Sequence, residues 1–493
     1  MRALVSVTDK TGIDYLAKGL SDLGVDIVST GGTYKNICNA GVKATEIDEI
    51  TNFPEILEGR VKTLSPYVHG GILYKRDEQS HVDTIKKHDI KAIDIVVVNL
   101  YEFQKSLEKG NPDDIIENID IGGPSMVRSA AKNHKDVLIV TDPADYDELL
   151  ERIENDDIDL AYRQKLAMKA YNLTAFYDSV IARYFLRLTG EEAKYKTYGF
   201  EKESDLRYGE NPGQEAALFN DPFVKGLMDN MEVIHGKEMS YNNYNDLNPA
   251  LELAQELGGN AVVALKHQSP CGVAVGNDIY DSYIKAYECD SQSIFGGIVS
   301  VNGVIDKKTA NKMNEIFLEI IAASDFTKEA LEVLTQKKNV RLVKINFENE
   351  TVKEEIRYLN GKILIQGKDF GEDQVEVVTD KKPSEAEIKD LLFAQKVVKY
   401  VKSNAIVVAK DMQTLGCGAG QQSRIWALES IKDHFKYRDF KGAALGSDAF
   451  FPFPDTVELA HKMGISSVIQ PGGSIKDKDS IDTCNEYGIS MVF

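Results

Sequence analysis

The chain has 493 residues, with 58 Lys and Arg against 78 Asp and Glu, a formal net charge of −20 at pH 7. A field this negative argues against binding nucleic acid or an anionic membrane, so an anionic ligand must be held by local basic clusters and backbone amides. At 43% hydrophobic and 28% charged residues the composition is that of a globular protein, no apolar run reaches the ~20 residues of a membrane span, and the length suits roughly three domains.

The first residues, MRALVSVTDK, read as a strand and a turn, without the apolar core or cleavage site of a secretory signal. The five cysteines (Cys38, Cys271, Cys289, Cys417, Cys484) are odd in number and form no CxxC pair, and the eight histidines include no HExxH. The pattern predicts neither a disulfide framework nor a zinc ribbon, and the expectation is a reduced, cytoplasmic, metal-free protein.

Up to residue 190 or so, apolar strands alternate with helical stretches. Ala3–Val7 is a short strand, Ile13, Leu16, Leu20 and Leu23 recur at helical spacing, and Asp26–Thr30 is a second strand closed by Gly31-Gly32. Ile93–Leu100 and Val137–Val140 are nearly continuous apolar runs, as expected of strands covered on both faces in a parallel sheet. A long helix then carries Leu166, Ala170, Leu173, Tyr177, Val180 and Tyr184 on one face, with Gly190 as its stop. The charged segment after it predicts a boundary near residue 195–205, between domains over 1–195 and 200–493. Beyond it, the strands Ala261–Leu265 and Ala405–Ala409 sit in comparable contexts and suggest two related α/β subdomains.

Several segments of the first domain offer the chemistry of an anion site. STGGTYK (Ser29–Lys35) sets hydroxyls and glycines between a strand and a helix, where backbone amides can wrap a phosphate; a plain tight turn explains it equally well. GRVKTL then supplies Arg60, Lys62 and Thr63, the next strand end carries Asn99 and Tyr101, and Asp120 and Lys132 follow. In open α/β sheets such segments converge at the carboxyl ends of the strands.

Taken in order, VSVTDKTG, STGGT, GRVKTL, NLY, DIGG and AAKNH resemble the N-terminal domain of the bifunctional AICAR transformylase/IMP cyclohydrolase family, which has a methylglyoxal-synthase-like fold. The resemblance implies that Ser6, Lys10, Ser29, Thr30, Gly31, Arg60, Lys62, Thr63 and Asn99 surround a nucleotide. It also implies that Lys62, Tyr101, Asp120 and Lys132 carry closure of the formamido-carboxamide ring. Ser65 stands where the family has His, and Glu102 where it has Pro.

In the second domain, LKHQSPCG places Lys266 beside His267 at the end of an apolar strand, running into a turn expected at Pro270 and Gly272. Arg207, Tyr208, Asn243, Gly296, Asp325, Asn404, Arg424, Phe450 and Pro452 are further candidates. The Phe450, Phe451, Phe453 cluster reads as a loop presenting rings to a flat heterocycle rather than as core. These motifs resemble the transformylase domain of the same family, so the resemblance spans essentially the whole chain. It implies two cytidine-deaminase-like subdomains, a homodimer with transformylase sites at the subunit interface, and formyl transfer from 10-formyltetrahydrofolate to AICAR. His267 would act as base, Lys266 would stabilise the intermediate, and Asn404 would hydrogen-bond the formyl oxygen. A zinc deaminase, which needs H-x-E and PCxxC, is disfavoured: His267 is followed by Gln-Ser, and Pro270-Cys271 lacks the second cysteine. Gly213 replaces a family His, and the sequence ends at Phe493 where the family continues into a short basic tail that helps bind the AICAR phosphate, so either the tail is missing from this sequence or phosphate binding is looser.

Two other functions compete: a methylglyoxal-synthase-type lyase, which leaves the second domain unexplained, and a nucleotide sensor without chemistry, which the intact lysines and His267 disfavour.

Overall fold

The computed structural model describes residues 1–229, 231–348, 352–371 and 375–493. The chain divides into two compact units. Unit 1 comprises Met1–Glu201 with Phe219–Phe223, and unit 2 comprises Lys202–Leu218 with Val224–Phe493.

Unit 1 is built on a five-stranded, wholly parallel sheet of β1 (Arg2–Ser6), β2 (Asp26–Ser29), β3 (Thr45–Glu46), β4 (Ile95–Val98) and β5 (Leu138–Val140), in the order β3-β2-β1-β4-β5. Ala3–Val5 and Ile95–Val98 are buried, as the continuous apolar runs require of strands covered on both faces. The long helix Leu160–Thr189 buries Leu166, Ala170, Tyr177, Val180 and Tyr184, and ends on Gly190 in the left-handed conformation. The return of Phe219–Phe223 to this unit has no signal in the sequence pattern; Arg183 fixes it by an ion pair with Asp221 at 2.6 Å.

β6 (Glu201–Leu206) and β7 (Ala216–Asn220), whose residues are divided between the units, form a two-stranded sheet, and so in unit 2 do β14 (Glu354–Leu359) and β15 (Lys362–Gly367). The remaining strands build one sheet: β8 (Glu232–His235), β9 (Ala261–Lys266), β10 (Ser269–Val275), β11 (Ile298–Ile305), β12 (Ile320–Phe326), β13 (Arg341–Lys344), β16 (Ile406–Lys410), β17 (Gln413–Gly418), β18 (Ala444–Ser447), β19 (Ser467–Ile469) and β20 (Ser490–Val492). Their order, β20-β19-β18-β16-β17-β10-β9-β11-β12-β13-β8, joins two halves of matching topology where β17 meets β10. Each half is an antiparallel hairpin (β9–β10, β16–β17) continued by an antiparallel strand and two parallel ones. The related subdomains expected from the two apolar strands are thus present as two halves of a continuous sheet.

The match extends to detail. The helices Tyr241–Leu257 and Glu385–Lys399, which precede the two hairpins, both begin with a capping box, Ser240 with Asn243 and Ser384 with Glu387. In both halves the second hairpin strand also runs close against the helix that follows it: a Cβ on Gly272 would overlap the Ala286 carbonyl, and one on Gly418 the Ala427 carbonyl.

Candidate active sites

In unit 1 the strand ends converge on a cavity of about 610 Å³. Ser6 ends β1 and its hydroxyl lies 2.6 Å from that of Thr30, which caps the helix Gly31–Asn39. That helix is tied to β1 by Thr33, whose hydroxyl donates to the Val7 carbonyl at 2.9 Å. Asn99, just past β4, accepts from the Thr8 amide at 2.5 Å and donates to the Asp9 carbonyl at 2.9 Å, fixing the loop that carries Lys10. Ser6, Lys10, Thr30, Arg60, Lys62, Thr63, Asn99, Tyr101 and Asp120 all line the cavity.

The reactive groups differ in environment. Burial raises the Asp120 carboxyl above the ordinary aspartate range; the amides of Gly123, Tyr101 and Gly122 and the charge of Lys62 pull it down, but burial prevails. The Tyr101 phenol is raised by burial and by the carboxylates of Asp120, Glu55 and Glu117, so it stays a donor. Arg60 is ion-paired with Glu117, and Lys62 lies 3.8 Å from Glu55. These two carboxylates line the cavity and escaped the sequence reading, because an isolated Glu in a charged segment gives no signal.

Three expected residues stand apart. Ser29 is buried and donates to the Val5 carbonyl at 2.7 Å, a structural duty. Gly31 does not line the cavity, although a Cβ there would come within 3.9 Å of the Lys62 ammonium. Lys132 is exposed at the far end of the helix Gly122–Lys132, whose first residues line the cavity. Ten residues of helix separate it from Gly122 by about 15 Å.

In unit 2 the candidates gather on one edge of the long sheet. β9 ends at Lys266, whose ammonium donates to the Phe295 carbonyl at 2.8 Å, next to Gly296 in the turn that leads into β11. The turn is not at Pro270 and Gly272, which lie within β10; it is the two-residue pair His267–Gln268, closed by Lys266 opposite Ser269. His267 thus stands exposed at a hairpin tip. Asn243 is buried in its capping box, where its side chain accepts from the Ser240 amide at 3.0 Å. The neighbouring Asn242 donates to the Glu210 carbonyl at 3.2 Å, bringing in the loop of Arg207 and Tyr208. There the guanidinium lies 4.9 Å from the centre of the Tyr208 ring.

Because β9, β10, β17 and β16 alternate in direction, the start of β16 shares the edge of Lys266, three strand spacings or about 14 Å away. Here Arg424, 7% exposed, gathers a second cluster. It pairs with Asp448 and donates to the Asn404 side-chain oxygen at 2.9 Å and to the Phe450 carbonyl at 3.3 Å. The Asn404 amide nitrogen donates to the Gln421 carbonyl at 2.9 Å, which leaves one N–H for a ligand.

Two expectations need correction. Phe450, Pro452 and Phe453 are exposed, but Phe451 is fully buried and packs as core. Asp325 lies near the far end of β12, about 17 Å along the strand from the Lys266 edge, and is ion-paired with Lys344 at 2.7 Å. The carboxylate at the near end is Glu319, whose amide donates to the Gly297 carbonyl at 2.9 Å. The sequence places an acid at both ends of the apolar run, and only strand direction distinguishes them. Among the described residues, no three His, Cys, Asp or Glu side chains are grouped as metal ligands.

Comparison with known proteins finds two family matches, the second of which begins inside unit 1. Residues 12–125 match the model of the MGS-like domain, and residues 130–432 match that of the AICARFT/IMPCHase bienzyme. The bifunctional purine biosynthesis protein PurH of Clostridioides difficile is 52% identical over 100% of this chain and 98% of its own. Those of Oceanobacillus iheyensis and Acetivibrio thermocellus are 50% and 48% identical with the same coverage. A solved chain, described as the crystal structure of ForH, is 37% identical over 38% of this chain and 96% of its own, with a TM-score of 0.35. With a family model matched over more than half its length and relatives this similar end to end, the chain belongs to the AICARFT/IMPCHase bienzyme family of purine biosynthesis.

Proposed function

We propose that the chain catalyses two consecutive steps, formyl transfer from 10-formyltetrahydrofolate to AICAR in unit 2 and cyclodehydration of the resulting FAICAR to IMP in unit 1. The observation that carries this reading is the separation of the reactive groups into two constellations, one in each unit, beside full-length similarity to the bifunctional enzymes.

For cyclisation, the carboxamide nitrogen attacks the formyl carbon and water leaves. Lys62 polarises the formyl oxygen, and Asp120, its carboxyl raised by burial, accepts a proton from the amide while the Tyr101 phenol donates. Ser6, Thr30 and Lys10 hold the nucleotide. Lys132 is given no step.

For formyl transfer, the AICAR 5-amino group is a weak nucleophile because its lone pair is delocalised into the imidazole and carboxamide. His267 takes its proton as nitrogen attacks the formyl carbon, Lys266 and the free N–H of Asn404 stabilise the oxyanion, and tetrahydrofolate leaves with its nitrogen reprotonated. Arg207 and Tyr208 serve the substrate phosphate and ring. We further infer a homodimer in the cytoplasm, on the similarity of the whole chain to this family.

The test is IMP formation from AICAR and 10-formyltetrahydrofolate, with tetrahydrofolate release followed together. Lys266→Ala and His267→Ala are expected to abolish formyl transfer and to spare cyclisation of added FAICAR; loss of both activities in a folded protein would contradict the two-site assignment.

A further inference from the structure

We propose that Asp246 is a positioning residue for formyl transfer: it holds the His267–Gln268 turn and so fixes where the imidazole stands. The inference rests on the reading of His267 as the base. Both turn residues adopt the left-handed conformation, with φ of 50° and 59°. Two-residue hairpin turns of this kind favour Asn, Asp and Gly; His and Gln enter it at a cost and stay only where the surroundings hold them. The holding group is Asp246 in the helix Tyr241–Leu257, whose carboxylate accepts from the Gln268 amide at 3.0 Å. That helix is itself anchored at its start by the Ser240–Asn243 capping box.

The second half of the sheet repeats the device without the imidazole. Asp390, at the equivalent place after the Ser384–Glu387 capping box, accepts from the amides of Asp411 and Met412 at 3.0 and 2.8 Å, and these residues have φ of 53° and 55°. Lys410 donates to the Lys441 carbonyl at 2.9 Å, as Lys266 does to that of Phe295. The carboxylate under the turn therefore belongs to the hairpin architecture, and the first half has placed its histidine on it. Asp390 serves as an internal control for any purely structural effect.

The experiment uses the full chain and the Asp246→Ala variant, which removes the acceptor of the Gln268 amide and keeps a helix-forming residue. The expected result is a fall in kcat for formyl transfer of about 10- to 100-fold, as for a misplaced catalytic group. KM for both substrates should stay within about 3-fold, because ground-state binding is not touched, and FAICAR cyclisation should be unchanged. Asp390→Ala should leave kcat at the native level. Adding Gln268→Gly to Asp246→Ala should restore most of the lost kcat, since glycine adopts the turn unaided. This double variant decides the matter even if Asp246→Ala alone folds poorly. Native kcat in Asp246→Ala, an equal loss in Asp390→Ala, or no recovery with Gln268→Gly would each overturn the role of Asp246. Native formyl transfer by His267→Ala would instead overturn the base assignment, so the two failures are told apart.

Discussion

Replacing Arg424 with Met tests whether the second cluster of unit 2 is a single organised piece. The guanidinium is almost fully buried and holds Asp448, the Asn404 oxygen and the Phe450 carbonyl at once. Its removal leaves the Asp448 carboxylate, 14% exposed, without its cation. Breaking a buried pair from one side typically costs about 3–5 kcal/mol, far more than the pair contributes as a whole. For a unit of this size that corresponds to a melting temperature lower by roughly 6–10 °C. Asn404 loses the contact that orients its amide, so formyl transfer should fall by at least the ~100-fold typical of a lost oxyanion donor. Scanning calorimetry with separate assays of formyl transfer and FAICAR cyclisation would read both effects. The double variant Arg424→Met with Asp448→Leu removes the stranded charge; it should regain much of the stability and none of the formyl transfer. An unchanged melting temperature in Arg424→Met, or a double variant as unstable as the single, would refute the reasoning.

Asp120→Asn should slow cyclisation and, at neutral pH, stabilise unit 1. The folded carboxyl is raised, so its ionisation opposes folding above the ordinary aspartate range, and the gain over native should vanish in melts taken at progressively lower pH, once both states are protonated. Glu117→Gln should lower KM for FAICAR by removing one carboxylate charge from beside Arg60, but by less than about 5-fold and less still at high salt, because the ion pair it removes is exposed. Gly272→Ala and Gly418→Ala should each destabilise unit 2 by about 1–3 kcal/mol in chemical denaturation, since the added methyl meets a backbone carbonyl that cannot step aside.

Much of unit 1 is legible in the sequence. Runs such as IVVV have one physical explanation, a strand covered on both faces, and the helix ending at Gly190 carries its stripe and its stop in plain view. Hydroxyl and basic residues beside strand ends mark the cavity for the same reason. What escapes is whatever depends on direction or pairing. Asp325 and Glu319 flank one apolar run, and only the parallel pairing of β11 with β12 tells which reaches the Lys266 edge. Pro270 and Gly272 look like turn formers, yet the turn falls on His267–Gln268, because Asp246, some twenty residues earlier, supplies the hydrogen bond that glycine would have made unnecessary. Phe451 is buried between two exposed neighbours, a distinction composition cannot make.

The same pairing explains why formyl transfer would occupy one edge of the sheet and not both. An axis between β10 and β17 relates the two halves, so the hairpin tip of the first half and the strand start of the second fall on one edge, while Lys410 and Asp411 share the opposite edge with Asn260. The scaffolding matches on the two edges: Asn404 donates to the Gln421 carbonyl and Asn260 to the Asn277 carbonyl, at 2.9 and 3.3 Å. The reactive groups do not match. On the first edge His267 stands where the other has Asp411, and Arg424, the first residue of its helix, where the other has Ile279, so the second edge has neither the imidazole nor a buried guanidinium to orient the asparagine. A symmetric backbone therefore holds two similar frames, and the side chains make only one of them competent. Transplanting His into position 411 should accordingly create no second activity, because the partner cluster that would hold the oxyanion is missing from that edge; formyl transfer by Asp411→His combined with His267→Ala, measured against His267→Ala alone, would show the frame by itself to be sufficient and the clusters to be dispensable.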